Sequence, residues 1–169
     1  KKLTDKYNFE PMIWSDMYFR LASETGNYYD ENAIIKEFVK ELLPEGISLT
    51  YWDYYHKEEA DYELMIKKHK QLTDKIVFAG GIWLWAGTLP DYRHTLVSTN
   101  AGLNVCKREG IKDVYATMWG DDGCETDVMF SLPGCVLYGE HSYNAEISEE
   151  ETDKKLMLLF GFKYSDIED

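Results

Sequence analysis

Four short stretches of the chain combine indoles, phenols and carboxylates at a spacing that could hold a ligand. They are Trp14 with Asp16; Trp52 with Asp53, Tyr54 and Tyr55; Trp83 with Trp85; and Trp119 with Asp121 and Asp122. A sugar ring has apolar C–H faces that stack on aromatic side chains, and a rim of hydroxyls that donates to Asp and Glu. Four such stretches converging on one mouth would therefore make a carbohydrate site. A single tryptophan at a strand end more often packs in the core, and an Asp just after a strand is often an N-cap or turn residue, which is an equal reading for Asp53 and Asp122. Asp16 and Asp121 each stand two residues after a tryptophan, on the same face of an extended chain, and this favours a ligand role for both.

The elements that must position these residues form a repeat. Trp14, Trp52 and Trp83 are 38 and 31 residues apart, and Trp119 follows Trp85 by 34. Each closes an apolar run: "FEPMIWSDM", "ISLTYWDYY", "KIVFAGGIWLW" and "DVYATMWGDD". Such runs suit strands buried on both faces. Helical patterns follow them. Ile34, Ile35, Phe38, Val39 and Leu42 mark the first, and Tyr62, Met65, Ile66, His69 and Leu72 mark a second over 58–72. A third is expected to start at Pro90 and run to 107–110. A fourth begins near Glu125 and should kink or break at Pro133. The acidic "ISEEETDKK" at 147–155 reads as the N-terminus of a further helix, and "KKLTDKYNFEP" as the end of one.

Alternating strands and helices define an α/β protein with a parallel sheet. A doubly wound nucleotide-binding sheet would carry a glycine-rich phosphate turn after its first strand, and none is present. Aromatic residues at every strand's C-terminal end favour a barrel, whose sites are built from those ends. A complete (β/α)8 barrel typically needs about 250 residues, so 169 residues with four units are expected to be half of one. Residues 1–145 would be the half-barrel and 146–169 the start of a helical C-terminal extension.

Composition narrows the partners. The net charge of −13 argues against nucleic acid or an anionic membrane, because binding phosphates needs Lys and Arg. Aromatic residues make up 15% of the chain, with 13 Tyr and 5 Trp, and a neutral, ring-shaped ligand would use them. Cys106, Cys124 and Cys135 show no C-x-x-C spacing, and their odd number suggests structural thiols in a reducing, cytoplasmic compartment. His56, His69, His94 and His141 show no metal-binding spacing, so neither a metal nor a cofactor is implied.

"PMIWSDMYFR", "TYWDYY", "IWLWAG" and above all "MWGDDGCE" resemble, in order and spacing, the last four strands of the catalytic barrel of glycoside hydrolase family 20, the β-N-acetylhexosaminidases, particularly their compact exo-acting bacterial branch. The resemblance covers about residues 1–145. It implies that strands five to eight of the full barrel are present. The expected activity is removal of terminal N-acetylglucosamine or N-acetylgalactosamine by substrate-assisted retaining hydrolysis, in which the sugar's own acetamido oxygen attacks C1. By this resemblance Trp14, Trp52 and one of Trp83 or Trp85 box the acetamido group, and Trp119 lies beneath the ring. Asp121 holds outer hydroxyls, and Tyr54 is the candidate partner of the acetamido oxygen. Asp122 and Glu125 would support the loop or cap the next helix. The family's catalytic Asp-Glu pair is not found in this chain and is expected upstream, so the chain alone should be inactive and, with two open sheet edges, should form a homo-oligomer. Two rival readings are a complete, non-catalytic carbohydrate-binding or scaffold domain, and a different glycosidase using Asp16 and Asp121 as its pair.

Overall fold

The computed structural model describes residues 2–120, 123 and 125–166. A short helix α1 (Lys2–Tyr7) precedes strand β1 (Met12–Trp14), and helices α2 (Asp16–Ala22) and α3 (Glu37–Glu41) follow it. Strand β2 (Ser48–Trp52) leads to α4 (Glu59–His69), β3 (Ile76–Gly81) to α5 (Tyr92–Glu109), and β4 (Asp113–Thr117) to a 3-10 turn (Val128–Ser131) and α6 (Leu132–Tyr143). Helix α7 (Glu149–Phe160) comes last, before a final 3-10 turn.

The strands form one parallel sheet in the order β1-β2-β3-β4. Register follows the apolar pattern. Tyr51 pairs with Phe78, and Phe78 with Val114, so all three point to one face. On that face helices α2 to α6 contribute Phe19, Val39, Tyr62, Met65, Ile66, Leu103, Val105 and Tyr138 to a single core around Tyr51 and Phe78. Every residue of β3 is buried, as expected of a central parallel strand covered on both sides. The opposite, inner face carries Thr50, Val77, Ala79 and Tyr115. There the two edge strands, which share no ladder, meet through side chains, since the Tyr115 hydroxyl donates to Met12 Sδ at 3.5 Å.

Helix boundaries follow from capping. Helix α5 starts two residues after Pro90, because Asp91 is its cap and accepts the His94 N–H at 2.8 Å; it ends at Gly110, whose φ of 74° suits a left-handed C-cap. Pro133 does not kink its helix. It falls in the first turn of α6, where a missing N–H interrupts nothing. Of the two roles expected for Glu125, supporting the loop or capping the next helix, the cap belongs to Asp127, which accepts the Met129 N–H at 2.8 Å; Asp122, given the same two roles, lies outside the described residues. The long helix expected through Ile34–Leu42 is only α3. Exposed Ile34 and buried Ile35 lie in the loop before it, and α2, directly after β1, supplies the packing of Phe19 and Ala22 instead.

In the C-terminal region, Ser148 caps α7 by accepting the Glu151 N–H, with Glu149, Glu150 and Glu151 in the first turn. Leu156 and Tyr164 pack on Leu137 of α6, and the Tyr164 hydroxyl donates to the Pro133 carbonyl at 3.0 Å. Cys106 is buried and free, Cys135 is free and partly buried, and Cys124 lies outside the described residues. Among the described residues no helix is long and apolar enough to cross a membrane.

Candidate functional site

The C-terminal ends of all four strands open into one cleft of about 540 Å³. Trp14 closes β1, and Asp16 is the first residue of α2. Trp52 closes β2, with Tyr54 and Tyr55 in the turn beyond it. Trp85 comes from the loop after β3, and Trp119 from two residues past β4. These seven side chains line the cleft.

The rings form a connected wall. Trp14 and Trp119, from opposite edges of the sheet, lie 6.1 Å apart between centroids. Tyr54 sits between three indoles, stacked on Trp52 at 5.5 Å, edge-on to Trp85 at 5.4 Å and edge-on to Trp119 at 6.3 Å. Its phenol is raised above the usual tyrosine value by burial, while hydrogen bonds with the Trp119 and Thr117 side chains act in the opposite sense. Trp14 keeps 45% of its surface exposed, Trp119 38% and Tyr55 57%, so ring faces remain open to a ligand.

Glycine at position 81 is what lets this wall close. A Cβ there would stand 2.6 Å from Trp85 and 2.9 Å from Tyr54. Side chains on the wall could not approach the sheet so closely over any larger residue.

Two expectations about local geometry are corrected. The apolar run "KIVFAGGIWLW" places Trp83 and Trp85 on a strand. The ladder ends at Gly81, and both lie in the loop that follows. Trp85 faces the cleft, whereas Trp83 stands behind it, stacked on Trp85 at 5.0 Å and packed on His94 at 4.1 Å. Trp83 also donates Nε1–H to the Tyr54 carbonyl at 2.8 Å, and His94 Nε2 donates to the same oxygen at 2.6 Å. It thus holds Tyr54 and Trp85 in place. Asp16, expected on extended chain, instead begins a helix, because Ser15 turns the backbone to a helical conformation; it still lines the cleft.

Asp121 lies outside the described residues, so the separation between Asp16 and Asp121 does not enter the geometry of the site. Asp53 is a buried turn residue and does not line the cleft. It accepts from the Tyr51 hydroxyl and from His56 Nδ1, both at 2.6 Å, and from two backbone N–H groups. Burial alone would raise its carboxyl, but the His56 and Tyr51 bonds outweigh that and hold it below the usual carboxylate range. The same bond raises His56. Among the described residues no group of His, Cys, Asp or Glu is placed to hold a metal ion.

Three residues that hold the cleft were not singled out from the sequence as site residues: Ser15, Tyr29 and His69. Ser15, between Trp14 and Asp16, is fully buried and contacts His69 Nε2 at 2.8 Å and the Tyr29 hydroxyl at 2.9 Å. A serine flanked by two candidate ligand residues was the available signal. The arrangement as a whole defines an α/β chain with an aromatic, carboxylate-bearing cleft at the C-terminal end of a parallel sheet. No family model matches the chain, and no curated protein matches it.

Proposed function

We propose that the cleft binds a terminal N-acetyl amino sugar, and that the chain is the aromatic half of a β-N-acetylhexosaminidase active site built on half of a (β/α)8 barrel. The observation that carries this reading is the convergence of one indole from each βα unit, Trp14, Trp52, Trp85 and Trp119, with Asp16 on the same cleft. A packing role would have buried those rings, whereas Trp14 and Trp119 keep open faces. The half-barrel is supported by helices packed on one face of a sequentially ordered sheet and by the Tyr115–Met12 contact across the other, which a flat sheet would disfavour.

In this reading the indoles take the apolar faces of the ring and the methyl of the acetamido group, and Asp16 accepts from a hydroxyl. Tyr54, held from behind by Trp83 and His94, is placed beside the acetamido group. Substrate-assisted hydrolysis then needs a protonated carboxyl to donate to the leaving oxygen, and the acidic pair that supplies it is assigned to residues outside this chain. The free edges of β1 and β4 would be covered by further parallel strands, and the chain by itself should associate with its own copies through them.

Titration of intrinsic tryptophan fluorescence with N-acetylglucosamine tests the site. Quenching that saturates is expected, weakened about tenfold or more in Trp119→Ala, an effect of about 1.4 kcal/mol or more. No hydrolysis of an aryl N-acetylglucosaminide is expected from this chain alone. Equal affinity for glucose and N-acetylglucosamine would remove the acetamido assignment, and turnover by the pure chain would place the acid within it.

A further inference from the structure

The buried polar group beneath the cleft is chemically unusual for its location. Ser15, Tyr29 and His69 come from three different segments: the turn after β1, the loop between α2 and α3, and the last residue of α4. Ser15 and His69 have no exposed surface. Their hydrogen-bond roles can be assigned from the partners. The Met65 carbonyl, 2.7 Å from His69 Nδ1, must accept, so Nδ1 carries the proton. Burial pushes the imidazole down to about 4, so the ring is neutral and Nε2 is an acceptor. Ser15 has one proton and two acceptors in front of it, His69 Nε2 and the Thr50 carbonyl at 2.9 Å. The Tyr29 hydroxyl must therefore donate to Ser15 Oγ, and its own lone pair is left for the Trp52 backbone N–H at 3.3 Å.

The backbone of Tyr29 has a φ of 43°, a left-handed conformation uncommon in a residue of this size. It is held there by its ring, which lies edge-on to Phe19 at 5.3 Å, Tyr51 at 5.1 Å and Trp52 at 5.2 Å. A strained backbone persists only where its surroundings over-determine it. Here the surroundings are the ends of two strands. On one side the node grips the residue between Trp14 and Asp16, and on the other the backbone and ring of Trp52.

We infer that Tyr29, Ser15 and His69 are positioning residues, which hold Trp14 and Asp16 at a set distance from Trp52 and thereby fit the cleft to one sugar ring. This rests on the sugar-site reading for its ligand, but the positioning itself does not. Sites need their groups placed to within about half an ångström, and an error of 1 Å can cost as much as a hundredfold. A shared hydroxyl hub is suited to that task because it ties β1 to β2 beyond the point where the ladder ends.

Tyr29→Phe keeps the ring packing and removes only the hydroxyl; Ser15→Ala removes the hub and serves if the first variant folds poorly. Tyr164→Phe is the control, since it loses a buried hydroxyl bond in the α6–α7 layer, far along the chain from the node. Indole N–H resonances in two-dimensional ¹⁵N NMR read position directly, and N-acetylglucosamine titration reads fit. In Tyr29→Phe and Ser15→Ala the Trp14 and Trp52 resonances should move while those of Trp83 and Trp85 stay, and affinity should fall about tenfold. Tyr164→Phe should lower the thermal midpoint and leave indoles and affinity unchanged. Unmoved Trp14 and Trp52 resonances in both node variants, or equal movement of all indoles, overturn the inference. If Trp14 and Trp52 move but the unmodified chain binds no N-acetyl sugar, positioning stands and the sugar reading falls.

Discussion

Tyr51 and Trp52 are neighbours on β2, and the alternation of the strand sends them to different surroundings. Tyr51 is fully buried on the helix side, against Tyr29, Phe78 and His69, with its hydroxyl bonded to Asp53 at 2.6 Å. Trp52 is half-buried at the mouth of the cleft. The division continues around the sheet. Phe19, Tyr62 and Phe78 belong to the first set, closed and with the Tyr62 hydroxyl satisfied by the His56 carbonyl; Trp14, Trp85 and Trp119 belong to the second. One residue class thus does two jobs. Aromatic rings on the helix side stabilise by burial, at about 25 cal/mol per Å² of apolar surface, while rings at the mouth forgo part of that stabilisation and keep faces available.

The largest effect that could break this comparison is on stability. Phe78→Ala empties a site in the centre of the helix-side core, and a loss of about 3–5 kcal/mol is expected. That is a large part of a domain's usual 5–15 kcal/mol. Trp14→Ala removes a larger ring, but one with 45% of its surface already in water, and should cost about 1 kcal/mol or less. Urea unfolding followed by far-ultraviolet circular dichroism measures both. Equal losses would mean that the mouth rings are core residues and the division is wrong.

Acid should sharpen the contrast next, since it acts on the helix side through His69. The imidazole is lowered by burial from 6.5 to about 4, so the folded state prefers it neutral. Above the unfolded value its full contribution is present. As pH falls from about 6.5 to 4 the unfolded chain binds a proton that the folded chain refuses, and stability drops by about 3 kcal/mol in all. Asp53 acts in a lower window: its depressed carboxyl stabilises the fold above the unfolded value of 3.8, and that contribution is lost only as pH falls further. His56 has the reverse sense, stabilising below its unfolded value and losing that contribution as pH rises through its raised folded value. Unfolding curves across pH 4–7, with NMR titration of the His69 ring, check the assignment. A ring that titrates near 6.5 in the folded protein would contradict it.

The parts legible in the sequence were those in which burial leaves a periodic trace. Strands rich in apolar residues leave continuous runs, so β2, β3 and β4 and their parallel class could be read, as could the tryptophan that ends β2. Helices α4 and α5 carry apolar stripes long enough to show the helical period. Helix α2 does not: it has seven residues, and Ser15, which should advertise its start, spends its hydroxyl on Thr50 and the node with His69 and not on a cap. Which of Trp83 and Trp85 faces the cleft was not legible either. Alternation assigns faces only while the ladder lasts, and beyond Gly81 the direction of each indole is decided by Thr95, His94 and Tyr54, all distant in sequence. His69 sat in an apolar helical stripe, where a core histidine and a histidine serving a site look alike.

The smallest expected effects come from two glycines that test the same division by addition. Gly102, on α5, would place a Cβ 2.9 Å from Phe78 and 3.2 Å from Tyr62; Gly81 would place one 2.6 Å from Trp85 and 2.9 Å from Tyr54. Both contacts are closer than a methyl group tolerates, so in each case the rings must shift. Neither glycine has the positive φ that would add backbone strain, so the two substitutions differ chiefly in which rings they displace. Gly102→Ala pushes rings that are packed on all sides and should destabilise by about 1–3 kcal/mol, with ligand binding unchanged. Gly81→Ala pushes rings whose far side is the open cleft. They can move outward into it, so the stability loss should be smaller, while N-acetylglucosamine binding should weaken because the wall now stands in the space proposed for the sugar. Chemical denaturation and fluorescence titration of the two variants, run side by side, give four numbers. A crossed pattern, stability lost in one and affinity in the other, is the expected outcome. A Gly81→Ala protein that loses stability as Gly102→Ala does, yet binds sugar normally, would show that Trp85 and Tyr54 are braced from the cleft side as firmly as Phe78 is from the helices.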